Sequence, residues 1–92
     1  MKFRYKYGLR VPYQKQGYIY FKSLRYNLLP AQEQERIRAL CARAGGHNAD
    51  ALLEHVTTGE PVKDVCKRHY IASTTTLYRA INRYYERFPE DL

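Results

Sequence analysis

The chain has 92 residues and a formal charge of +7, with 16 Lys and Arg against nine Asp and Glu. That length suits one domain with a large exposed surface and a thin stability margin, so a homodimer or higher homo-oligomer is expected. No apolar run approaches the roughly 7 to 15 residues of a signal-peptide core, still less a membrane span, which leads to an expected cytoplasmic protein with no membrane partner.

The charge excess lies entirely at the beginning. Lys2, Arg4, Lys6, Arg10, Lys15, Lys22 and Arg25 are the only charged side chains before residue 27, and from there on nine Lys and Arg oppose nine Asp and Glu. The same 26 residues hold six of the ten tyrosines. A basic excess gathered in one segment is the electrostatic footprint of a densely anionic partner. In Lys2-Phe3-Arg4-Tyr5-Lys6-Tyr7 basic and aromatic residues alternate strictly, as in a strand with one cationic and one aromatic face. Tyr18-Ile19-Tyr20-Phe21 is a second strand candidate, and Gly8, Pro12 and Gly17 between them break regular structure. Residues 1–26 are therefore expected to form a basic, tyrosine-rich β-arm or hairpin, or a partly disordered arm, with Lys2, Arg4 and Lys6 turned toward phosphates or reaching into a minor groove.

Residues 27–92 read as a four-helix domain, so the expected fold class is mainly α. Pro30 opens the first of these helices, Ile37, Leu40, Cys41 and Ala44 mark its buried face, and Gly45-Gly46 ends it. A second helix starts after Asn48, buries Leu52, Leu53 and Val56, and stops at Gly59. The third runs from Pro61 to about His69 with Val62, Val65 and Cys66 inward. Cys41 and Cys66 both lie on apolar stripes and read as small buried hydrophobes in a reducing compartment. Cys66 and His69 have the spacing of half a zinc site, but no second half exists, so no metal or other cofactor is expected.

After a turn at Tyr70-Ile71-Ala72, Ser73 is the N-cap of the last helix, which continues to Phe88 before Pro89 forbids more. Leu77, Ile81, Tyr84 and Phe88 form its core stripe, and Tyr85 is expected to reach a dimer interface or a neighbouring arm. The opposite side carries Thr75, Arg79, Asn82 and Arg83, with Tyr78 at its edge.

A short helix, a tight turn and a longer helix form the helix-turn-helix arrangement, in which the second helix enters the DNA major groove. Arg79 can fork onto guanine O6 and N7, Asn82 can pair with adenine N6 and N7, and Thr75 or Thr76 can donate to a phosphate or touch a thymine methyl. Arg83, Lys63 and Lys67 are placed for phosphates. The spacing from Ile71 to Leu77 is six residues, where the usual motif has about five.

The segment ALLEHVTTGEPVKDVCKRHYI, with LLP upstream, resembles the PapB-type regulators of fimbrial adhesin biosynthesis. Ala51, Leu52, Val56, Gly59, Val65, Cys66, Arg68 and His69 carry the match, which spans about residues 28–83; the family's recognition helix usually opens with a tyrosine and an apolar residue, where this chain has Thr74-Thr75-Thr76. The resemblance implies a bacterial transcription regulator that binds double-stranded DNA upstream of adhesin operons, often as an oligomer. A similarity to the KorA-type plasmid repressors covers the helix-turn-helix alone. Two further readings are an RNA or single-strand binding module built on the tyrosine-rich arm, and an adaptor whose arm adds a strand to a partner's sheet. An enzyme is not expected, because no glycine-rich phosphate loop, carboxylate pair or activated nucleophile is visible.

Overall fold

The computed structural model describes residues 9–92, and within them the chain is mainly helical. The described residues form five α-helices and no strand: α1 Tyr13–Leu24, α2 Ala31–Gly45, α3 Ala49–Thr58, α4 Val62–Arg68 and α5 Thr74–Arg87. Short 3-10 turns at Tyr26–Leu28 and Gly46–Asn48 lead into α2 and α3.

The helix boundaries follow local chemistry. Pro12, Pro30 and Pro61 immediately precede α1, α2 and α4, where the missing proline N–H would have no intrahelical acceptor. α2 ends where Gly46 adopts φ 56°, ψ −127°, a backbone state that essentially only glycine enters. Gly59 closes α3 in the left-handed region, φ 73°, and its N–H donates to the His55 carbonyl. Asn48 and Ser73 occupy the N-cap positions of α3 and α5, although neither side chain makes a capping hydrogen bond.

The core is built from one stripe of each helix. Ile37, Leu40, Cys41 and Ala44 of α2 meet Leu52 and Val56 of α3 and Leu77, Ala80, Ile81 and Tyr84 of α5. Val62, Val65 and Cys66 of α4 join it, with Ile71 partly buried at the margin.

The main departure from expectation is α1. Tyr18-Ile19-Tyr20-Phe21, expected as a strand, lies in the middle of a 12-residue helix. The aromatic and β-branched composition that favours a strand is overridden here by packing, which routinely outweighs propensity. Ile19 is completely buried, and Gln16 and Ser23 lie beside it on the inward face. Both polar groups are satisfied: Gln16 Nε2 donates to the Val11 carbonyl at 2.9 Å, and Ser23 Oγ lies 2.7 Å from the Ile19 carbonyl and 2.8 Å from Tyr84 Oη. The ring of Tyr18 meets Phe88 edge-on, and its hydroxyl donates to the Leu92 carbonyl at 2.8 Å. Residues 9–26 are thus built into the helical core rather than standing off as an arm. The strand expected at 2–7 lies outside the described residues. Tyr85, expected at a dimer interface, is 4% exposed and belongs to the chain's own core.

Candidate nucleic-acid interface

The candidate surface is made by α4, the turn at residues 69–73 and α5. Burial of Val62, Val65 and Cys66 leaves Lys63 and Lys67 exposed on the other side of α4. Neither lysine is drawn into an ion pair with another described residue. The helix end is held by the His69 N–H donating to the Val65 carbonyl at 3.1 Å and the Ile71 N–H donating to the Cys66 carbonyl at 2.9 Å. Between them Tyr70 takes φ 56°, which turns the chain and brings Ile71 back onto the core.

α4 is tied to α3 by charge. Glu54 of α3 accepts from His69 Nε2 at 2.9 Å and from Arg68 Nε at 2.8 Å, while Arg68 also reaches Glu60 at 2.9 Å. The His69 hydrogen bond, followed by that of Arg68, holds the Glu54 carboxyl below the usual carboxylate range. This link was not anticipated from the sequence. Its signal is the basic pair 14 and 15 residues further on, which helix packing alone can bring together. His69 is therefore engaged with a carboxylate and Cys66 is buried, and among the described residues no three His, Cys, Asp or Glu side chains are grouped to hold a metal.

α5 divides cleanly. Leu77, Ala80, Ile81, Tyr84 and Tyr85 are buried, whereas Thr75, Thr76, Tyr78, Arg79 and Asn82 are exposed. Thr75, Tyr78, Arg79 and Asn82 follow i, i+3, i+4, i+7 spacing, so they share one face spanning about 10 Å at 1.5 Å per residue. That row joins a guanidinium fork, an amide, a hydroxyl and a half-exposed phenol, the groups that read base edges and phosphates.

Arg83, expected at a phosphate, also has a partner within the protein. It is partly buried, and its Nε donates to the Ala44 carbonyl at 2.8 Å, near the C-terminal end of α2. A cation there satisfies a carbonyl without an intrahelical partner and suits the negative end of the helix dipole. Its side chain holds α5 against α2, fixing the tilt of the exposed row. Lys2, Arg4 and Lys6 lie outside the described residues.

The basic excess at the start of the chain is partly neutralised within the protein. Lys15 pairs with Glu90, and Lys22 bonds Glu33 at 2.8 Å and also contacts the Leu92 carbonyl. Desolvation pulls the Lys22 ammonium down, but its hydrogen bonds to Glu33 and Tyr18 more than offset that and leave its pKa raised. Arg10 and Arg25 remain exposed. Gly17, Tyr18, Phe21, Lys22, Arg25 and Leu29 line a groove of about 580 Å³ on the outer side of α1. A smaller cleft of about 440 Å³ lies beside the turn, bordered by His47, Asn48, Tyr70, Ser73 and Thr76.

No helix among the described residues is long and apolar enough to cross a membrane. No family model, no curated protein and no solved structure matches the chain.

Proposed function

We propose that this protein is a transcription regulator that binds duplex DNA through α4, the turn and α5 as a helix-turn-helix. The observation that supports it is the row Thr75, Tyr78, Arg79 and Asn82, exposed on the face of α5 opposite a fully buried apolar stripe and positioned by the α4 turn. A helix with these groups on its free face, supported by a shorter helix at its start, has the arrangement that major-groove reading needs. In this reading Arg79 and Asn82 contact bases, and Thr75 and Thr76 contact bases or phosphates. Lys63, Lys67 and the charges Lys2, Arg4 and Lys6 hold the backbone. A homodimer would present two such helices to successive half-sites. The resemblance to PapB-type regulators supplies the target class, a fimbrial adhesin operon; the KorA-type similarity supplies a plasmid repressor as its rival.

The decisive experiment is selection of a preferred duplex from a random pool, followed by titration of Arg79→Ala. A lost bidentate contact should reduce discrimination at one base position by about 1–3 kcal/mol. Retention of the full preference by that variant would show that α5 does not read the sequence. Replacing Lys2, Arg4 and Lys6 together by alanine should weaken every duplex alike and flatten the slope of log K against log salt by about 0.9 per lost phosphate contact.

A second reading is favoured by the groove on α1, where Tyr18 and Phe21 are each about half exposed next to Lys22 and Arg25. Aromatic rings between cations are the platform on which single-stranded bases stack. Competition between duplex and single-stranded oligonucleotides of one sequence separates the two, since only the second reading expects the single strand to win.

A further inference from the structure

Tyr70 combines two unfavourable properties. It is the only non-glycine residue among those described with positive φ, at 56°, and its side chain is 95% exposed, more than any other large hydrophobic side chain described. An aromatic residue in the left-handed region is strained, because its Cβ crowds the backbone there, and glycine or asparagine would take the same turn more easily. The strain is not compensated by burial of the ring. The turn's own anchoring lies elsewhere, in the Ile71 N–H bond to the Cys66 carbonyl and in the burial of Ile71. Strained residues that the fold does not need mark functional positions.

The position of the ring suggests its use. It stands at the mouth of the cleft bordered by His47, Asn48, Ser73 and Thr76, one turn before the exposed row of α5. When a helix such as α5 enters a major groove, the turn that precedes it lies over the sugar–phosphate backbone. A phenol there has a flat apolar ring for the deoxyribose and a hydroxyl that can donate to a phosphate oxygen, and tyrosine is one of the side chains that make such contacts.

We propose that Tyr70 is a DNA-backbone contact of this protein, with its ring against a deoxyribose and its hydroxyl donating to a phosphate. The inference rests on the duplex-binding reading above and adds to it a residue from outside the recognition helix. Because the contact carries no base information, it contributes equally to all duplex sequences, and because tyrosine is neutral it leaves the salt dependence unchanged.

The test compares Tyr70→Asn, Tyr70→Gly and Arg79→Ala with the parent protein on the selected duplex and on a scrambled one. Both Tyr70 variants relieve the strain and remove no buried surface, so their melting temperatures should equal or exceed the parent's. Their affinity should fall about tenfold on both duplexes, equivalent to about 1.4 kcal/mol. Asparagine keeps the turn stiffer than glycine does, so equal losses for the two assign the effect to the ring. Parental affinity in both variants, while Arg79→Ala is impaired, overturns the Tyr70 contact and leaves the duplex reading standing. A fall in melting temperature of several degrees also overturns it, since the ring would then be a packing group. If the parent protein shows no duplex binding, or Arg79→Ala keeps its full preference, the reading of α5 itself has failed.

Discussion

Replacing Ser23 by alanine should destabilise the protein by more than replacing Tyr84 by phenylalanine, although the two side chains share one hydrogen bond. Tyr84 is fully buried and Ser23 is 1% exposed, and their oxygens lie 2.8 Å apart. Ser23 Oγ is also 2.7 Å from the Ile19 carbonyl, the only one of these contacts that requires Ser23 to donate. The Tyr84 hydroxyl must then donate to Ser23. Its desolvation, the main cause, pushes the phenol well above its ordinary pKa, so it stays a neutral donor at any working pH. In Ser23→Ala this buried donor loses its acceptor, at a cost of about 1–3 kcal/mol. In Tyr84→Phe, Ser23 keeps its bond to Ile19 and no donor is orphaned, so the loss is about 0.5–1.5 kcal/mol. Once Tyr84 is phenylalanine, removing the serine hydroxyl should cost almost nothing more. The double variant should therefore be about as stable as Tyr84→Phe alone, so the coupling between the sites equals the whole Ser23→Ala loss, about 1–3 kcal/mol. Urea unfolding of the four proteins at one pH measures this, and for a chain of this size each kcal/mol moves the melting temperature by about 4–8 °C. Strictly additive losses would refute the hydrogen-bond direction; no loss in either single variant would refute the packing of α1 on α5.

Three other outcomes follow from features already described. Glu54 titrates lower in the folded protein than in the unfolded chain, so its contribution is complete above the unfolded pKa and is lost as pH falls through the folded one; the urea midpoint should drop on acidification below about pH 5, and less steeply in Glu54→Gln. Gly46→Ala should cost about 1–3 kcal/mol through backbone strain although a Cβ there meets nothing within 4 Å, whereas Gly45→Ala, whose Cβ would touch Leu52 at an ordinary 3.4 Å, should be neutral or stabilising by up to about 1 kcal/mol in thermal unfolding. Burial pushes the Cys41 thiol up to about 12, so a disulfide reagent near neutral pH should label it only as fast as the protein opens; rapid labelling under native conditions would contradict its burial.

The four helices from Ala31 onward were legible because their punctuation is local. Pro30, Gly46, Gly59, Pro61 and Pro89 each impose a backbone constraint that does not depend on tertiary structure, and Leu77, Ile81, Tyr84 and Phe88 repeat at helical spacing and are all buried. α1 was not legible for the opposite reason. Its inward stripe runs Gln16, Ile19 and Ser23, two polar residues to one apolar, and such a stripe can be buried only because Val11, Ile19 and Tyr84 supply the partners. The candidate face of α5 could be traced from the sequence because it is what remains when the apolar stripe is removed. The bond from Arg83 to α2 could not be traced because its acceptor, the Ala44 carbonyl, is 39 residues away and carries no signature in side-chain type. Tyr70 was passed over since a strained φ is a property of coordinates.

The covering of α1 also constrains the order in which the protein can acquire its structure during translation. Tyr84, which closes over Ser23, leaves the ribosome 61 residues after it, and Leu92, gripped by Tyr18 and Lys22, arrives 70 or more residues after them. Until then the first helix has only part of its cover, and the nascent chain exposes an apolar, aromatic surface that invites chaperones or misassociation. Productive folding therefore waits on long-range closure rather than on the speed of the individual helices.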